Sequence, residues 1–527
     1  MPLKVGLISL GCAKNLVDGE IMLGSLLKEG IEITNDPIGA DAVIVNTCSF
    51  IGSAQEESVD SILETAATRS EKNPNQALIV SGCLPQRYRE ELPKLLPEVD
   101  AFMGIDQVAE ISRIVREALA LRASRLEKQP PHPALSPKGG EGDHRAGKTK
   151  ANGTTRSNHA DPLVEIQPRP KYIPDYATPR FRLTPKHFAY VKIAEGCNHP
   201  CSFCTIPRMR GGHRSRALLD ILAEARQLIS EGVKELNLIS QDSTYYGMDL
   251  RSNRSGSISS PERFTAAARA LASDAPTLCT LLRELNALPG EFWIRLLYTH
   301  PAHWTDELIR TIAESPKVAR YVDMSLQHIH ENMLQRMRRE TSKQYIVDLI
   351  ERIRAGVPGI ALRTTFIVGF PGETEACFEE LLDFMRQTKF ERLGVFTYSK
   401  EPGTLAGKMG RQVSKRTKAD RLARAMEVQR MIARSVSAAT VGKELTVLIE
   451  HRMGKKERAK AELSSWEHGF IRANGTSPAL SQQLWVARSQ ADAPDIDGRV
   501  FVRGLAEMEG FRRVRVVGHT DYDLIAE

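Results

Sequence analysis

The chain has 527 residues, of which 41% are hydrophobic and 26% charged, and a net charge of +7; that length exceeds one compact core and predicts two to four domains of ordinary soluble composition. Its eight cysteines are too sparse and too clustered for a disulfide scaffold and point to metal ligation in a reducing, cytoplasmic setting. The start, MPLKVGLISLGCAKNLVDGE, holds only a short apolar run, and no stretch approaches the roughly 20 apolar residues of a spanning helix, so neither an export signal nor a membrane anchor is expected.

Residues 1–125 alternate strand and helix. KVGLISL, DAVIVNT and QALIVSG are apolar strands, each followed by a helical pattern, which predicts a parallel sheet covered by helices. Each strand ends in a cysteine: Cys12, Cys48 and Cys83. Side chains at the carboxyl ends of neighbouring parallel strands converge on one sheet edge, where open α/β folds bind ligands. These thiols sit in polar turns (LGCAKN, NTCSFI, SGCLPQ), unlike a core cysteine inside an apolar run.

Residues 126–170 are rich in Pro, Gly, Lys and Ser without apolar periodicity, and are expected to be a disordered linker because they cannot offset their ordering entropy by burial. Two further polar stretches, about 251–275 and 452–482, read as surface insertions.

Residues 183–410 resume the alternation with six strand signals, FAYVKIA, KELNLIS, WIRLLYT, YVDMSLQ, ALRTTFIVG and RLGVFTY. Six βα units suggest an open partial barrel, and in β/α barrels chemistry gathers at the strand C-termini. Cys197, Gln241, Asp242, Thr299, His300, Gln327, His328 and Tyr398 all fall there. The first strand leads into EGCNHPCSFCTIPRMRGG, where Cys197, Cys201 and Cys204 occupy eight residues. A structural zinc needs a fourth ligand, usually from a second paired motif, and none follows. A 4Fe-4S cluster held by three thiolates instead keeps one iron open for a small molecule to chelate. Cys279 and Cys377 lie in helical patterns and read as buried structural residues.

Residues 411–434 form a helical segment with eight Lys/Arg and two Asp/Glu, either a solvated face or a contact for phosphate or an acidic partner. The remainder, 435–527, is expected to be a small β domain.

The EGCNHPCSFC stretch resembles the signature of the radical S-adenosylmethionine superfamily. That resemblance implies that Cys197, Cys201 and Cys204 hold a 4Fe-4S cluster whose open iron binds S-adenosylmethionine, with the backbone at Phe203 facing the adenine. It also implies that Gln241 and the VGFPGET turn, through Gly369, Pro371 and Gly372, bind that cofactor. The whole chain resembles the methylthiotransferase family, which joins an N-terminal three-cysteine domain, a radical barrel and a C-terminal TRAM β domain. Cys12, Cys48 and Cys83 then hold a second 4Fe-4S cluster that carries the sulfur, and about eight irons per chain are expected. S-adenosylmethionine serves as methyl donor and as radical source.

SLGCAKNLVDGE, KIAEGCNHPCSFCTIP, LISQDSTYYGMDL, LLYTHPAHW, YVDMSLQHI and LRTTFIVGFPGET are similar to the branch that methylthiolates the β-carbon of an aspartate in ribosomal protein S-twelve. Gly19 departs from it, since the family usually has Ser there. The partners implied are S-twelve, a low-potential electron donor and a sulfur donor, with tRNA disfavoured. Lys/Arg and Asp/Glu balance from Ser435 to Glu527 at 13 each, and Asp492, Asp495 and Asp497 are expected either to form an acidic edge for a basic protein or to shape a solvated turn. The tRNA-adenosine branch shares both cysteine sets and is the alternative substrate class. A nucleic-acid-binding protein with a structural metal does not account for two open ligand sets, and a radical enzyme of unrelated substrate does not account for the N-terminal one.

Overall fold

The computed structural model describes residues 2–127, 161–250, 260–272, 275–454, 464–465, 470–471, 484–504, 507 and 509–527. The N-terminal domain is a parallel six-stranded sheet: β1 (Lys4–Ser9), β2 (Glu32–Ile33), β3 (Ala42–Thr47), β4 (Ala77–Gly82), β5 (Ala101–Met103) and β6 (Leu163–Glu165), in the order β2-β1-β3-β4-β5-β6. β3 and β4 are buried along their whole length, as strands covered by helices on both faces must be. The helices Ala13–Lys28, Gly52–Lys72 and Ile111–Glu127 supply that cover.

The 126–170 segment departs from its expected disorder at its far end. Leu163 pairs with Ala101 and Glu165 with Met103, so the short LVE run completes the sheet. Asp106 then accepts the backbone N–H groups of Lys171 (2.7 Å) and Tyr172 (3.1 Å), fixing the path onward. Three residues between polar turns are too few to show a period in sequence. The expectation for 128–160 falls outside the described residues.

The six strands expected of the barrel are β7 (Phe188–Lys192), then β10 (Glu235–Ile239), β11 (Trp293–Leu296), β12 (Tyr321–Asp323), β13 (Ala361–Val368) and β14 (Arg392–Thr397), with a small hairpin of β8 (Ala194–Glu195) and β9 (Arg214–Ser215) after the first. They are parallel and neighbour one another in chain order, but as two three-stranded sheets joined, among the described residues, by isolated bridges, Ile294 to Val318 and Thr299 to Met324. One apolar core runs beneath both halves and takes in Cys279. Cys377 is buried in a smaller cluster with Phe370 and Tyr398. Both stand as the buried residues their helical patterns implied.

Part of the 251–275 insertion is structural: Ser260 caps the helix Pro261–Arg269, whose Phe264 is buried and stacks on His303, ring centres 4.3 Å apart. A single aromatic in a polar run gave no sign of this. The basic segment is the helix Lys415–Ala438, capped by Ser414. It buries Ala425, Ile432 and Ala433, and three of its arginines are paired with carboxylates: Arg421 and Arg424 with Glu375, Arg424 with Glu379, Arg430 with Asp521. Lys415, Arg416 and Arg434 are exposed, so the helix keeps a solvated face beside these pairs.

The C-terminal domain is a closed barrel of β15 (Glu444–Arg452), β18 (Leu484–Ser489), β19 (Val500–Arg503), β20 (Gly510–His519) and β21 (Leu524–Ala526), with β16 (Ser464–Ser465) and β17 (Phe470–Ile471) paired apart from it. The acidic edge expected at Asp492, Asp495 and Asp497 is overturned. Asp492 and Asp497 are buried against the barrel's lower end, where Asp492 pairs with Arg392 and Asp497 accepts from Tyr321 Oη (2.6 Å) and meets Arg363 (3.3 Å). Arg488 beside them bridges Glu235 (2.6 Å) and Glu450 (2.5 Å). Asp495 alone of the three is exposed. Buried arginines on β11, β13 and β14 need these carboxylates, because an unpaired charge cannot stay in an apolar interior.

Candidate active site

Cys12, Cys48 and Cys83 follow β1, β3 and β4, three neighbours in register, so they leave one sheet edge together. Gly11 has φ 89°, and a Cβ there would lie 2.8 Å from Cys48 Cβ and 3.1 Å from its Sγ, so only glycine lets these loops meet. Side chains then tie the turns to each other. Asn46 Nδ2 donates to Asn15 O (2.8 Å), Cys48 N to Ser58 Oγ (3.0 Å), and Thr47 Oγ1 to Ser81 O (2.5 Å) while accepting from Leu84 N (3.3 Å). Burial pushes the Cys83 thiol up, Arg210 opposes this, and the nearby Cys12 adds to it.

Cys197, Cys201 and Cys204 lie on the loop after β8. Gly196 opens that loop at φ 81°, and a Cβ there would come 2.1 Å from Gly212 O on the returning strand. Donors point at the sulfurs: His199 N at Cys197 Sγ (3.5 Å), Ile206 N at Cys204 Sγ (3.4 Å) and Arg339 Nη1 at Cys201 Sγ (3.3 Å). Burial pushes the Cys204 thiol up to about 12, with the Cys201 charge adding to it. The eight cysteines form no disulfide. Three grouped thiols with N–H donors on sulfur are a donor set that fits an iron–sulfur cluster, since such bonds stabilise metal-bound thiolate; in the Cys12 set three thiols leave one sheet edge and Cys83 Sγ accepts from Arg210 Nη2 (3.4 Å).

The two sets belong to one site. The N-terminal domain docks on the barrel mouth through Arg87, which meets Glu401 at 2.9 Å, and through Gln55, which donates to the same carboxylate at 2.9 Å. On the opposite side Asp18 lies 2.5 Å from Lys192 Nζ and 3.0 Å from Arg210 Nη1. Glu195 lies between Lys192 (2.8 Å) and Arg210 (3.0 Å) and accepts from Gln241 Nε2 (2.5 Å). Together the cations hold the Glu195 carboxyl well below its ordinary range despite its burial. Lys14, two residues past Cys12, sets its ammonium over the Tyr298 ring, 3.0 Å from the centroid, at the end of β11.

The residues expected around the cofactor gather on the same mouth. Half-buried Phe203 meets Phe370 edge-on with centroids 6.4 Å apart, joining the cysteine loop to the Val368–Thr374 turn. Gly369 and Gly372 have φ of 72° and 85°; Glu373 accepts the N–H groups of Gly369 and Phe370, and Pro371 O accepts from Arg336 Nε (2.9 Å). Other polar groups at the strand ends are structural. Thr299 donates to Asp323 O (2.8 Å), and Tyr398 packs edge-on against Phe370.

Sequence reasoning missed a buried histidine brace beneath the cysteine loop. His199 Nε2 lies 2.8 Å from Asp242 Oδ2 and its Nδ1 3.4 Å from Glu340, while His303 Nδ1 meets Asp242 at 2.7 Å. Burial opposes charge on His199, yet the two carboxylates push it up to about 10, whereas burial pushes His300 and His303 down. His199, His300 and His303 are close enough to share an ion. However, His199 has carboxylates on both nitrogens, which leaves it no free ring nitrogen for an ion, and it stacks on His300 at 3.7 Å, so the group serves as a brace. His199 and Asp242 both stood in motifs already singled out; only their pairing across 43 residues was hidden.

Comparison with known proteins agrees with this geometry. Residues 4–104 match the uncharacterized protein family UPF0004, 191–385 the radical SAM superfamily and 479–527 the TRAM domain. The chain is 50% identical to the ribosomal protein uS12 methylthiotransferase RimO of Opitutus terrae, covering 99% of this chain and 96% of that one. It is 45% identical to that of Akkermansia muciniphila over the full length of both, and 41% identical to that of Pelotomaculum thermopropionicum over 100% and 99%. Among solved structures, the methyltransferase TsrM of Kitasatospora setae matches 77% of each chain at 14% identity with a TM-score of 0.47, too loose a likeness to build on. Two facing three-thiol sets, the three matched domains in this order and full-length relatives at such identity agree: the chain belongs to the RimO family of ribosomal protein uS12 methylthiotransferases.

Proposed function

We propose that this protein places a methylthio group on the β-carbon of an aspartate in ribosomal protein uS12. The docking of the Cys12, Cys48 and Cys83 edge over the barrel mouth that bears Cys197, Cys201 and Cys204, with Arg210 reaching from Glu195 to Cys83, supports the methylthio transfer; the observation that carries the choice of uS12 is the full-length similarity to uS12 methylthiotransferases. When bound, the two 4Fe-4S clusters and S-adenosylmethionine supply the sulfur, the methyl group and a hydrogen-abstracting radical.

The chain's own residues ligate, orient and exclude water. Each cysteine set ligates one cluster. Arg339 orients the Cys201 sulfur, and Glu195 fixes the Gln241 amide toward the mouth. Phe203, Gly369, Pro371 and Gly372 line the S-adenosylmethionine side. Burial of Asp18, Lys192, Glu195 and Arg210 keeps bulk water from the space where a substrate carbon must be held, and such positioning accounts for much of the rate. A low-potential electron donor and a sulfur donor complete the cycle.

One observation favours the tRNA-directed reading: Arg512, Arg513 and Arg515 are exposed on β20, so the balanced charge of this domain still leaves a basic strand. The experiment is anaerobic turnover with free uS12 and unmodified tRNA in the same vessel, followed by mass spectrometry of both. A methylthio group on a uS12 aspartate alone is expected. Its appearance on tRNA adenosine with uS12 unmodified would overturn the assignment.

A further inference from the structure

Arg210 stands where the two halves of the site meet. It ends the helix Ile206–Met209 on the barrel side, yet its guanidinium crosses to the other domain and Nη2 donates to Cys83 Sγ at 3.4 Å. Its Nη1 lies 3.0 Å from both Asp18 Oδ2 and Glu195 Oε2, and Lys192 Nζ bridges the same two carboxylates at 2.5 and 2.8 Å. All four charged side chains are buried. Two cations and two anions balance, so this network is neutral before the sulfur is counted. A lysine in place of Arg210 would also balance it; the planar fork adds a second nitrogen that, with the first fixed by two carboxylates, has one direction left to point. That direction is Cys83. The Cys201 sulfur receives a guanidinium too, from Arg339, but within its own domain; only the Cys83 contact depends on docking.

An N–H donated to a cluster thiolate withdraws electron density and raises the reduction potential of the cluster. We infer that Arg210 is a positioning residue by which the barrel acts on the auxiliary cluster: its hydrogen bond holds the Cys83 sulfur and raises the potential of the cluster that Cys12, Cys48 and Cys83 carry. The inference rests on the proposed ligand role of those three cysteines.

The test uses the full chain with Cys197→Ala, Cys201→Ala and Cys204→Ala, reconstituted anaerobically so that only the auxiliary cluster reports, without uS12 or S-adenosylmethionine. Redox titration followed by electron paramagnetic resonance gives the midpoint potential, and resonance Raman gives the Fe–S(Cys) stretches. Arg210→Lys keeps the charge and loses the fork; Arg210→Met loses both. The potential is expected to move negative in Arg210→Lys and further in Arg210→Met, with altered Fe–S(Cys) stretches. If Arg210→Met does not fold, because Asp18 and Glu195 lose a partner, Arg210→Lys decides alone. A fully loaded cluster with unmoved potential and stretches in Arg210→Lys overturns this inference only. A background chain that binds no iron overturns the ligand reading and this inference with it.

Discussion

The two ends of the radical barrel are both lined with buried charge, and they use it differently. At the lower end each carboxylate closes on arginine. Glu235 pairs with Arg295 and Arg488, Asp492 with Arg392, and Asp497 with Arg363, which also pairs with Asp323. At the mouth Arg210 closes on Asp18 and Glu195 with one nitrogen and gives the other to Cys83 sulfur, and Arg339 donates to Ser325 O and to Cys201 sulfur. Buried charge therefore does not by itself mark a reactive site. What marks it is a cation turned toward a group that is itself a ligand.

Substitutions can sharpen that contrast. The largest effect is at the mouth: Cys197→Ala is expected to abolish formation of 5′-deoxyadenosine, whereas Cys12→Ala should keep it and abolish methylthio transfer. Chromatography of the nucleoside beside mass spectrometry of uS12 reads both, and loss of cleavage in Cys12→Ala would show that the two sets are not separable.

The lower end should answer in stability. Arg392→Met strands the buried Asp492 carboxylate and is expected to cost about 3–5 kcal/mol in denaturant unfolding. An unchanged midpoint would mean that the charges there are solvated and the contrast false.

The smallest effect is a dependence on pH. Burial favours neutral Glu450, yet Arg488 and His187 hold it at about 2 against an ordinary 4.5. A depressed carboxylate stabilises the fold above 4.5 and loses that contribution as pH falls toward 2. Trp293, which packs on Phe511 of β20, reports the interface by fluorescence. Its acid transition should shift in Glu450→Gln, and an unshifted transition would remove Glu450 from the account.

The parts legible in sequence were those carried by local pattern. Strand periodicity gave the six barrel strands, and spacing with turn context brought out the six cysteines. Contacts that depend on two distant segments were not legible. Nothing within either stretch joins Cys83 to Arg210. The aspartates after β18 misled because Pro-Asp and Asp-Gly pairs suit solvated turns, and the corrective signal lay elsewhere: Arg295, Arg363 and Arg392 sit in otherwise apolar strands, and each required a buried acid. Phe264 carried too little periodicity to betray its packing.

The return of the chain as β6 has its own consequence. Residues 128–160 leave from the helix Ile111–Glu127 and come back into the same sheet at Leu163–Glu165, so both ends of that stretch are anchored in one domain. The tether to the barrel begins only after β6, outside the 128–160 stretch. A protease cut within it would thus leave two fragments held by the β5–β6 ladder and by the barrel contacts of Asp18, which would travel together on a sizing column until denatured. New termini opened there by circular permutation would leave both cysteine sets on one continuous fold.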